Sequence, residues 1–508
     1  MTAIDQKRIA KNTLMLAIRM GLMILVKLYT VKVVMEALGN VDYGIFNTVA
    51  AVVLTFSFLN DTMSTACQRF LAIGMGKEDY TQVRRTFSIC ILVFAVIALI
   101  IVVLCETGGL VLLHRRIQLD GRSMDVAHKV FHLAIISFVF TIMRTPYQGM
   151  VLMKEKMKVY TYISVLEVIG YLAVAILIAH SDKDRLVIYS VLMLTVNALI
   201  SVAYLTYCNF FHKESRFKYY WNISEFKEIF HFTFWNMFGS LAMTLKSYGI
   251  SVVINIFFGN IIVSARTLAY KLYSILLDFS GNITTAVRPQ IIKSYSAGDR
   301  EGMFKLVFQG SKFAYYLFLI VALPLFMEIP LVLDIWIDDV PEYTVLFTRL
   351  CIINGLFDVL VTPLAVSMQA YGKIRTYQIV TSLFIMLVVP ISYLLLKAGF
   401  PPETVFYVSI IICALAVILR VLFISHYIGL PVGGYFRNVI LPMLIVTVCS
   451  AIIPAVFEIT ISHTLWRFLT VCATAVIMIC ISAYTLGMTI TERKHVREYI
   501  IKFIRRFF

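Results

Sequence analysis

Hydrophobic residues make up 60% of this 508-residue chain and charged residues only 15%, and the mean hydropathy is +0.86. Because soluble domains carry about a quarter charged residues, this composition excludes an ordinary soluble domain and predicts a chain that lies largely in a bilayer. The formal net charge of +16 would suit nucleic acid. The Lys and Arg residues lie between the apolar runs, however, so the positive-inside rule explains them and no nucleic-acid partner is predicted.

Apolar runs of about 20 residues, each long enough to cross the hydrocarbon as a helix, recur along the chain. About fourteen spans are predicted. In the first half they lie near 14–35, 44–65, 86–105, 126–148, 159–180 and 186–210. In the second half they lie near 229–257, 261–287, 308–333, 345–371, 379–396, 405–426, 439–457 and 465–486. The fold class is therefore an all-α polytopic membrane protein.

An internal repeat in the sequence indicates that the helix bundle is duplicated. The interval from Gly39 to Arg69 nearly equals that from Gly259 to Arg288, and both intervals contain an apolar run. Each half holds an even number of spans, so both copies insert the same way up. We expect a pseudo-two-fold axis along the membrane normal, with a site at mid-depth between the copies.

These features predict five parts. They are an N-terminal six-helix lobe (1–210), a cytoplasmic linker (211–228), a C-terminal six-helix lobe (229–427), two additional spans (428–490) and a basic tail (491–508). The two additional spans carry no charge at mid-depth, so we expect them to be peripheral. The tail has apolar residues at helical spacing and basic residues opposite, which suits a helix lying on the cytoplasmic face of the membrane, although a solvated tail is the alternative.

Alternate loops differ in charge, and this difference predicts the orientation. One set is basic throughout, whereas the opposite set is nearly uncharged or acidic, as in the run with Asp334, Asp338, Asp339 and Glu342. The basic set is expected on the cytoplasmic side, with both termini inside. The basic loop at 115–122 is the exception to this pattern.

Five cations within predicted spans form a candidate set: Arg19, Lys27, Lys246, Arg266 and Lys271. Each would cost about 2.5–3.5 kcal/mol if it faced lipid, so they are expected to line water or to be paired. A mid-depth surface rich in Arg and Lys suits an anion, and especially phosphate. The alternative is that Asp278 neutralises Lys271 and that the two cations of the first span extend to the interface.

Four acids within the spans form a second candidate set: Asp61, Glu167, Asp278 and Asp358. In a secondary transporter such residues are candidates for a proton or sodium site. Structural pairing with nearby cations is the alternative interpretation. His128 and His132 stand four residues apart, but no third ligand is near them in sequence, so no metal site is predicted, and no cofactor either.

Several short motifs resemble those of a known family. They are Asp42-Tyr-Gly44, Gln68-Arg-Phe70, Asp334-Ile-Trp336, Pro341-Glu-Tyr343 and Gln369-Ala-Tyr-Gly-Lys373. The chain resembles, over essentially its whole length, the O-antigen and capsular polysaccharide flippases of the multidrug/oligosaccharidyl-lipid/polysaccharide (MOP) exporter superfamily. The resemblance implies fourteen spans, with two six-helix lobes in a V.

The resemblance also implies a function: a non-enzymatic flippase that moves undecaprenyl-diphosphate-linked oligosaccharide across the bacterial inner membrane by alternating access. Members have a cationic lumen, which matches four of the five cations; Lys27 and Asp278 do not map onto a family position. The expected partners are the lipid-linked glycan and anionic phospholipid, with a polysaccharide polymerase and a chain-length regulator as further candidates, and the protein is expected to be a monomer. The alternatives are a membrane enzyme of the same pathway, for which the loops are short, and a cationic-drug exporter, for which the lumen has the wrong sign.

Overall fold

The structure, a computed structural model, describes residues 57–111, 124–180, 184–336, 340–461, 465–494 and 497, together with scattered single positions between 21 and 46. Across these residues the chain is helical and forms no strand, which confirms the all-α membrane fold. The first predicted span is described only at scattered positions, and most of the basic tail lies outside the described residues. The acidic run is described at Asp334 and Glu342 but not at its two central acids.

Thirteen long helices are described. They are α1 (Ser57–Gly76), α2 (Tyr80–Gly109), α3 (Met124–Met153), α4 (Met157–Ala179), α5 (Arg185–Phe211), α6 (Ile223–Gly259), α7 (260–296), α8 (Arg300–Trp336), α9 (Thr344–Tyr371), α10 (Arg375–Lys397), α11 (Thr404–Ile428), α12 (Val432–Thr460) and α13 (Leu465–Gly487). Eleven of them are long and apolar enough to cross a membrane, when only the described residues are considered. Helix α7, which carries three of the predicted ionisable residues, is not among the eleven.

The turn between α6 and α7 is a single-residue break. Gly259 has φ 76° and ψ −171°, whereas helical geometry continues on both sides of it. A positive φ is readily adopted only by glycine, because glycine has no Cβ to clash with the backbone. The break lies between the predicted spans 229–257 and 261–287, and it makes α6 and α7 a tight helical hairpin.

The internal repeat is visible in the way that two helices, α2 and α8, begin. Before α2, Glu78 has a φ of 57° and the carboxylate of Asp79 accepts a hydrogen bond from the backbone N–H of Gln82 at 2.9 Å. Before α8, Gly298 has a φ of 81° and Asp299 accepts one from the N–H of Gly302 at 2.8 Å. An aspartate in this N-cap position satisfies a backbone donor that the helix itself leaves unpaired. Corresponding helices of the two halves therefore begin with the same feature, an aspartate N-cap that follows a residue with positive φ.

The chain forms two compact units whose boundary falls between Met237 and Phe238, within α6. In the first unit, a core cluster joins α4 and α5 around Ala175, Ile178 and Tyr189. In the second unit, the largest described cluster joins α6, α7, α9, α10 and α11. We call the unit that ends at Met237 the first unit and the unit that begins at Phe238 the second unit.

Candidate functional site

The structure describes six of the nine predicted site residues in full. Arg19 and Lys27 lie outside the described residues, and Asp61 lies in α1 with its side chain outside them. Of the six, Glu167 belongs to the first unit and the others belong to the second. The second unit brings three of them, Lys246, Arg266 and Asp358, into one region.

Asp358 on α9 is held by donors from three helices. The amide of Asn354, one turn earlier on α9, donates to Asp358 Oδ2 at 2.6 Å, and the Tyr273 hydroxyl of α7 donates to the same oxygen. The thiol of Cys413 on α11 donates to Oδ1 at 2.7 Å. Ser409, also on α11, donates to the Asn354 Oδ1 at 3.2 Å. These five residues form what we call the Asp358 cluster, in which an acid is oriented by neutral groups.

Lys246 on α6 supplies the opposite charge. It is only 6% exposed, and no described group accepts a hydrogen bond from its ammonium. It interacts favourably with the charge of Asp358 and unfavourably with that of Arg266. Since a buried ammonium has three donors to satisfy, Lys246 retains unused capacity to bind an anion.

Close helix packing explains how Lys246 becomes buried. A Cβ added at Gly239 would lie 2.6 Å from the side-chain oxygen of Gln378, and one added at Gly249 would lie 2.9 Å from Val389. Both contacts are between α6 and α10. Two glycines on α6 therefore allow the neighbouring helix to approach its backbone, as small residues commonly do between membrane helices. The lysine between them is enclosed as a result.

Arg266 on α7 is held without any described acid partner. Its guanidinium donates to the Ser251 hydroxyl and, at 3.0 Å, to the carbonyl of Ser247, both on α6. It also lies 4.7 Å from the ring centroid of Tyr270. The Nε–H of Arg266 is buried and makes no hydrogen bond. The residue is therefore placed firmly but keeps one donor available.

Arg420 on α11 is a third buried cation, and it was not among the predicted residues. It is 5% exposed, its guanidinium lies 5.6 Å from the ring centroid of Tyr377, and Nη1 donates to the Tyr377 hydroxyl at 3.4 Å. Its Nε–H is buried without a partner. It interacts electrostatically with Cys413, which places it beside the Asp358 cluster.

Lys271 and Asp278, both on α7, are exposed in the second unit. They are seven residues apart and thus about two turns, as the sequence predicts. Neither belongs to the Asp358 cluster.

The first unit encloses Glu167 in a different way. Arg144 of α3 donates to the Glu167 carboxylate of α4 at 2.9 Å, and the Tyr171 hydroxyl donates to the same oxygen at 3.0 Å. The same hydroxyl, which has one proton, also lies 3.1 Å from the side-chain oxygen of Asn197 on α5, and the amide of Asn197 donates to Ser137 at 2.9 Å. We call these residues the Glu167 network. It follows the structural alternative stated above, because the acid is paired with a cation.

The buried charges of the second unit do not balance. Two acids, Glu328 and Glu492, are each paired with a buried cation. Three further buried cations, Lys246, Arg266 and Arg420, are paired with no buried acid among the described residues, and Asp358, with which Lys246 interacts, is only half-buried. A net positive charge in a low-dielectric interior is costly unless an anion approaches it. The arrangement can therefore bind an anion.

Several charged residues were missed by the sequence analysis although each lies within a predicted span. They are Arg144, Arg420, Lys312, Glu328 and Arg467. The argument applied to the other mid-span charges, that a charge in hydrocarbon must be paired or wet, would have selected all five. What the sequence could not show is which of them are paired with each other.

The family model described as polysaccharide biosynthesis protein matches residues 9–294, which is more than half of the chain. No curated protein matches the chain. The fold is similar to that of an outward-facing multidrug resistance MATE family transporter of the MOP superfamily, with a TM-score of 0.74 and 13% identity, covering 86% of this chain and 99% of the other.

Two further solved structures share the fold. A MOP superfamily transporter from Pyrococcus furiosus, described as having a binding pocket of reverse polarity, matches with a TM-score of 0.70 and 12% identity, covering 86% of this chain and 99% of the other. The MATE transporter ClbM, in complex with Rb⁺, matches with a TM-score of 0.68 and 16% identity, covering 81% and 94%. This chain belongs to the polysaccharide biosynthesis protein family and has the fold of MOP superfamily transporters.

Proposed function

We propose that the protein is a flippase for undecaprenyl-diphosphate-linked oligosaccharide in the bacterial inner membrane. Membership of a polysaccharide biosynthesis family and the fold of a transporter support this proposal. The observation that carries it is the charge excess in the second unit, where Lys246, Arg266 and Arg420 are buried without a buried acid partner among the described residues and Asp358 is half-buried. A diphosphate is the part of such a substrate that would neutralise this excess.

The chemistry of the three cations suits a diphosphate. Arginine presents several N–H donors in a fixed plane that matches phosphate oxygens, and lysine provides a compact charge. Both arginines have an unpartnered Nε–H, and the ammonium of Lys246 has no acceptor among the described groups. The polyprenyl chain would remain in lipid while the diphosphate is held. Lys271 and the two cations of the first predicted span are retained as candidate contacts along the route.

Asp358 is the proposed coupling residue. Its carboxylate is oriented by three neutral donors, so its charge is compensated mainly by Lys246. A diphosphate that binds Lys246 would compete with the Asp358 carboxylate for this one ammonium, and a coupling ion held at Asp358 would relieve the competition. Substrate and coupling ion would then be linked through one lysine. Orientation with the basic loops and both termini in the cytoplasm, as the loop charges predict, completes the proposal.

The test is the appearance of lipid-linked glycan at the outer leaflet of cells in which a variant is the sole flippase. Lys246→Ala and Arg266→Ala should each reduce transport about 10- to 150-fold, because one charge-assisted contact contributes roughly 1.5–3 kcal/mol. Lys246→Arg should retain part of the activity, since the charge is kept. Lys397→Ala, an exposed lysine at the end of α10, is the matched control.

The contradictory results are specific. Full transport by the Lys246→Ala, Arg266→Ala double variant, inserted at the wild-type level, would remove this substrate site. A wild-type protein that exports a cationic dye and does not bind inorganic pyrophosphate would instead favour a drug exporter.

A further inference from the structure

Helix α8 is interrupted within its length. Glu328 has φ −100° and ψ 20°, and the break lies between Pro324 and Pro330. Because proline has no N–H, Pro330 leaves the carbonyl of Phe326 without its helical donor. Sharp changes of helix direction usually occur at such positions. The direction of the segment after the break, 329–336, therefore depends on the contacts that hold the break.

Two arginines from other helices fix it. Arg349 of α9 donates through Nε to the Phe326 carbonyl at 3.1 Å, which replaces the hydrogen bond that Pro330 removes. Arg467 of α13 binds the carboxylate of Glu328 with two hydrogen bonds of 2.8 Å each. The Glu328 side chain is completely buried and that of Arg467 is 7% exposed.

The sequence predicts that the last two spans, which became α12 and α13, are peripheral. Apolar helices need no ion pair to associate in lipid, since packing alone is sufficient. Yet α8 carries a second buried pair toward its other end, where Lys312 donates to Glu492 at 2.7 Å just beyond α13. Between the two pairs, the Tyr315 hydroxyl bonds Thr447 of α12 at 2.7 Å.

Buried ion pairs contribute most clearly to register, because any slip leaves both charges unpaired in an apolar surrounding. Pairs at two places along α8 allow neither sliding nor rotation of α13 against it. The pair at Glu328 differs from the pair at Lys312 in one respect: it lies at the break itself. A change of bend in α8 must therefore be accompanied by movement of α13.

We propose that α13 is a strap for the break in α8: Arg467 makes the segment 329–336 and the last helical hairpin move as one body during transport. Arg349 holds the carbonyl on the other side of the break to α9. The bend is thus defined by two arginines on different helices, and α12 and α13 become working parts of the transporter.

The first measurement is hydrogen–deuterium exchange of the full-length protein in lipid nanodiscs, which needs no substrate. Arg467→Ala should raise the exchange rate of the 329–336 amides at least tenfold. Glu492→Ala, which breaks the pair at the other place, is the matched control and should leave the exchange of that segment unchanged. The swapped variant Glu328→Arg, Arg467→Glu should recover most of the protection.

The second measurement is glycan export in cells, as above. Arg467→Ala should lower export at least tenfold, and the swapped variant should restore it. Arg467→Lys keeps the charge and loses the two-bond geometry, so its export should lie between that of Arg467→Ala and that of the swapped variant. It remains informative if Arg467→Ala fails to fold. Two results would overturn the strap. One is a folded Arg467 variant whose 329–336 amides exchange at the wild-type rate. The other is a variant in which this exchange is altered while glycan export is undiminished. A wild-type protein without glycan export would instead contradict the proposed substrate, while the exchange result would still stand.

Discussion

The two units enclose an acid at mid-helix in opposite ways. In the first unit, Glu167 receives a guanidinium, so that one cation balances one acid. In the second unit, the half-buried Asp358 receives hydrogen bonds only from neutral donors, while three buried cations have no buried acid partner among the described residues. A balanced pair holds helices together and has little reason to respond to a ligand. An unbalanced set favours binding of an anion, and our proposal therefore gives a binding role to the second unit and a structural role to the pair in the first.

The largest expected effect tests the structural half of this comparison. Arg144→Ala leaves the half-buried Glu167 carboxylate without its cation, and the free energy of unfolding should fall by about 1.5–3 kcal/mol. Chemical unfolding in mixed micelles measures this quantity. The control is Lys129→Ala on the same helix, whose pair with Asp125 is exposed, and which should cause no measurable change. An Arg144→Ala protein as stable as the wild type would show that the network is not structural.

The next effect tests the binding half. Arg420→Gln removes a cation that has no described acid partner, so no charge is stranded, and the free energy of unfolding should change by less than about 1 kcal/mol. The affinity for inorganic pyrophosphate should fall roughly tenfold, because a charge-assisted contact becomes a neutral one. Isothermal titration calorimetry of the purified protein measures it. If stability falls as far as in Arg144→Ala while affinity is unchanged, the two units do not differ as described.

The smallest effect concerns the connection after α5, outside the spans. Burial, followed by the charge of Lys154, lowers the pKa of His212 below its usual 6.5. Burial would raise the pKa of Glu214, but hydrogen bonds from its own backbone and from Lys154 hold that pKa below its usual 4.5. In both cases the unfolded chain binds the proton more readily. The stability that each group contributes is therefore present above its usual pKa and is lost as the pH falls below it.

We therefore expect the thermal unfolding midpoint to decline in two steps as the pH falls from 7 to 4. His212→Asn should remove the upper step, and Lys154→Met should weaken the lower one. A midpoint that rises on acidification, or an unchanged upper step in His212→Asn, would contradict this assignment. The experiment also sharpens the comparison, because it separates the contribution of the connection from that of the Glu167 network.

Much of the fold could be predicted from the sequence because a bilayer imposes a simple rule: each span needs about 20 apolar residues. The turn at Gly259 was predictable for the same reason, since an apolar run of twice that length must be interrupted. That Lys246 lies buried followed from the cost of a charge in lipid. That Arg144 meets Glu167 and that Arg467 meets Glu328 could not be predicted, because each contact depends on the rotation of both helices about their axes, and the second also joins helices far apart in sequence.

The hairpin of α6 and α7 has a consequence for how the protein is made. Helix α7 carries Arg266, Lys271 and Asp278 and is not apolar enough to count as a membrane span by itself. The tight turn at Gly259 joins α7 directly to α6, and α6 is apolar enough to span the membrane. During synthesis the two helices would therefore leave the insertion machinery together, with the serine contacts of Arg266 formed between them before either meets lipid. Lengthening the turn by a few residues would separate these events and leave the arginine exposed to lipid at the moment of insertion.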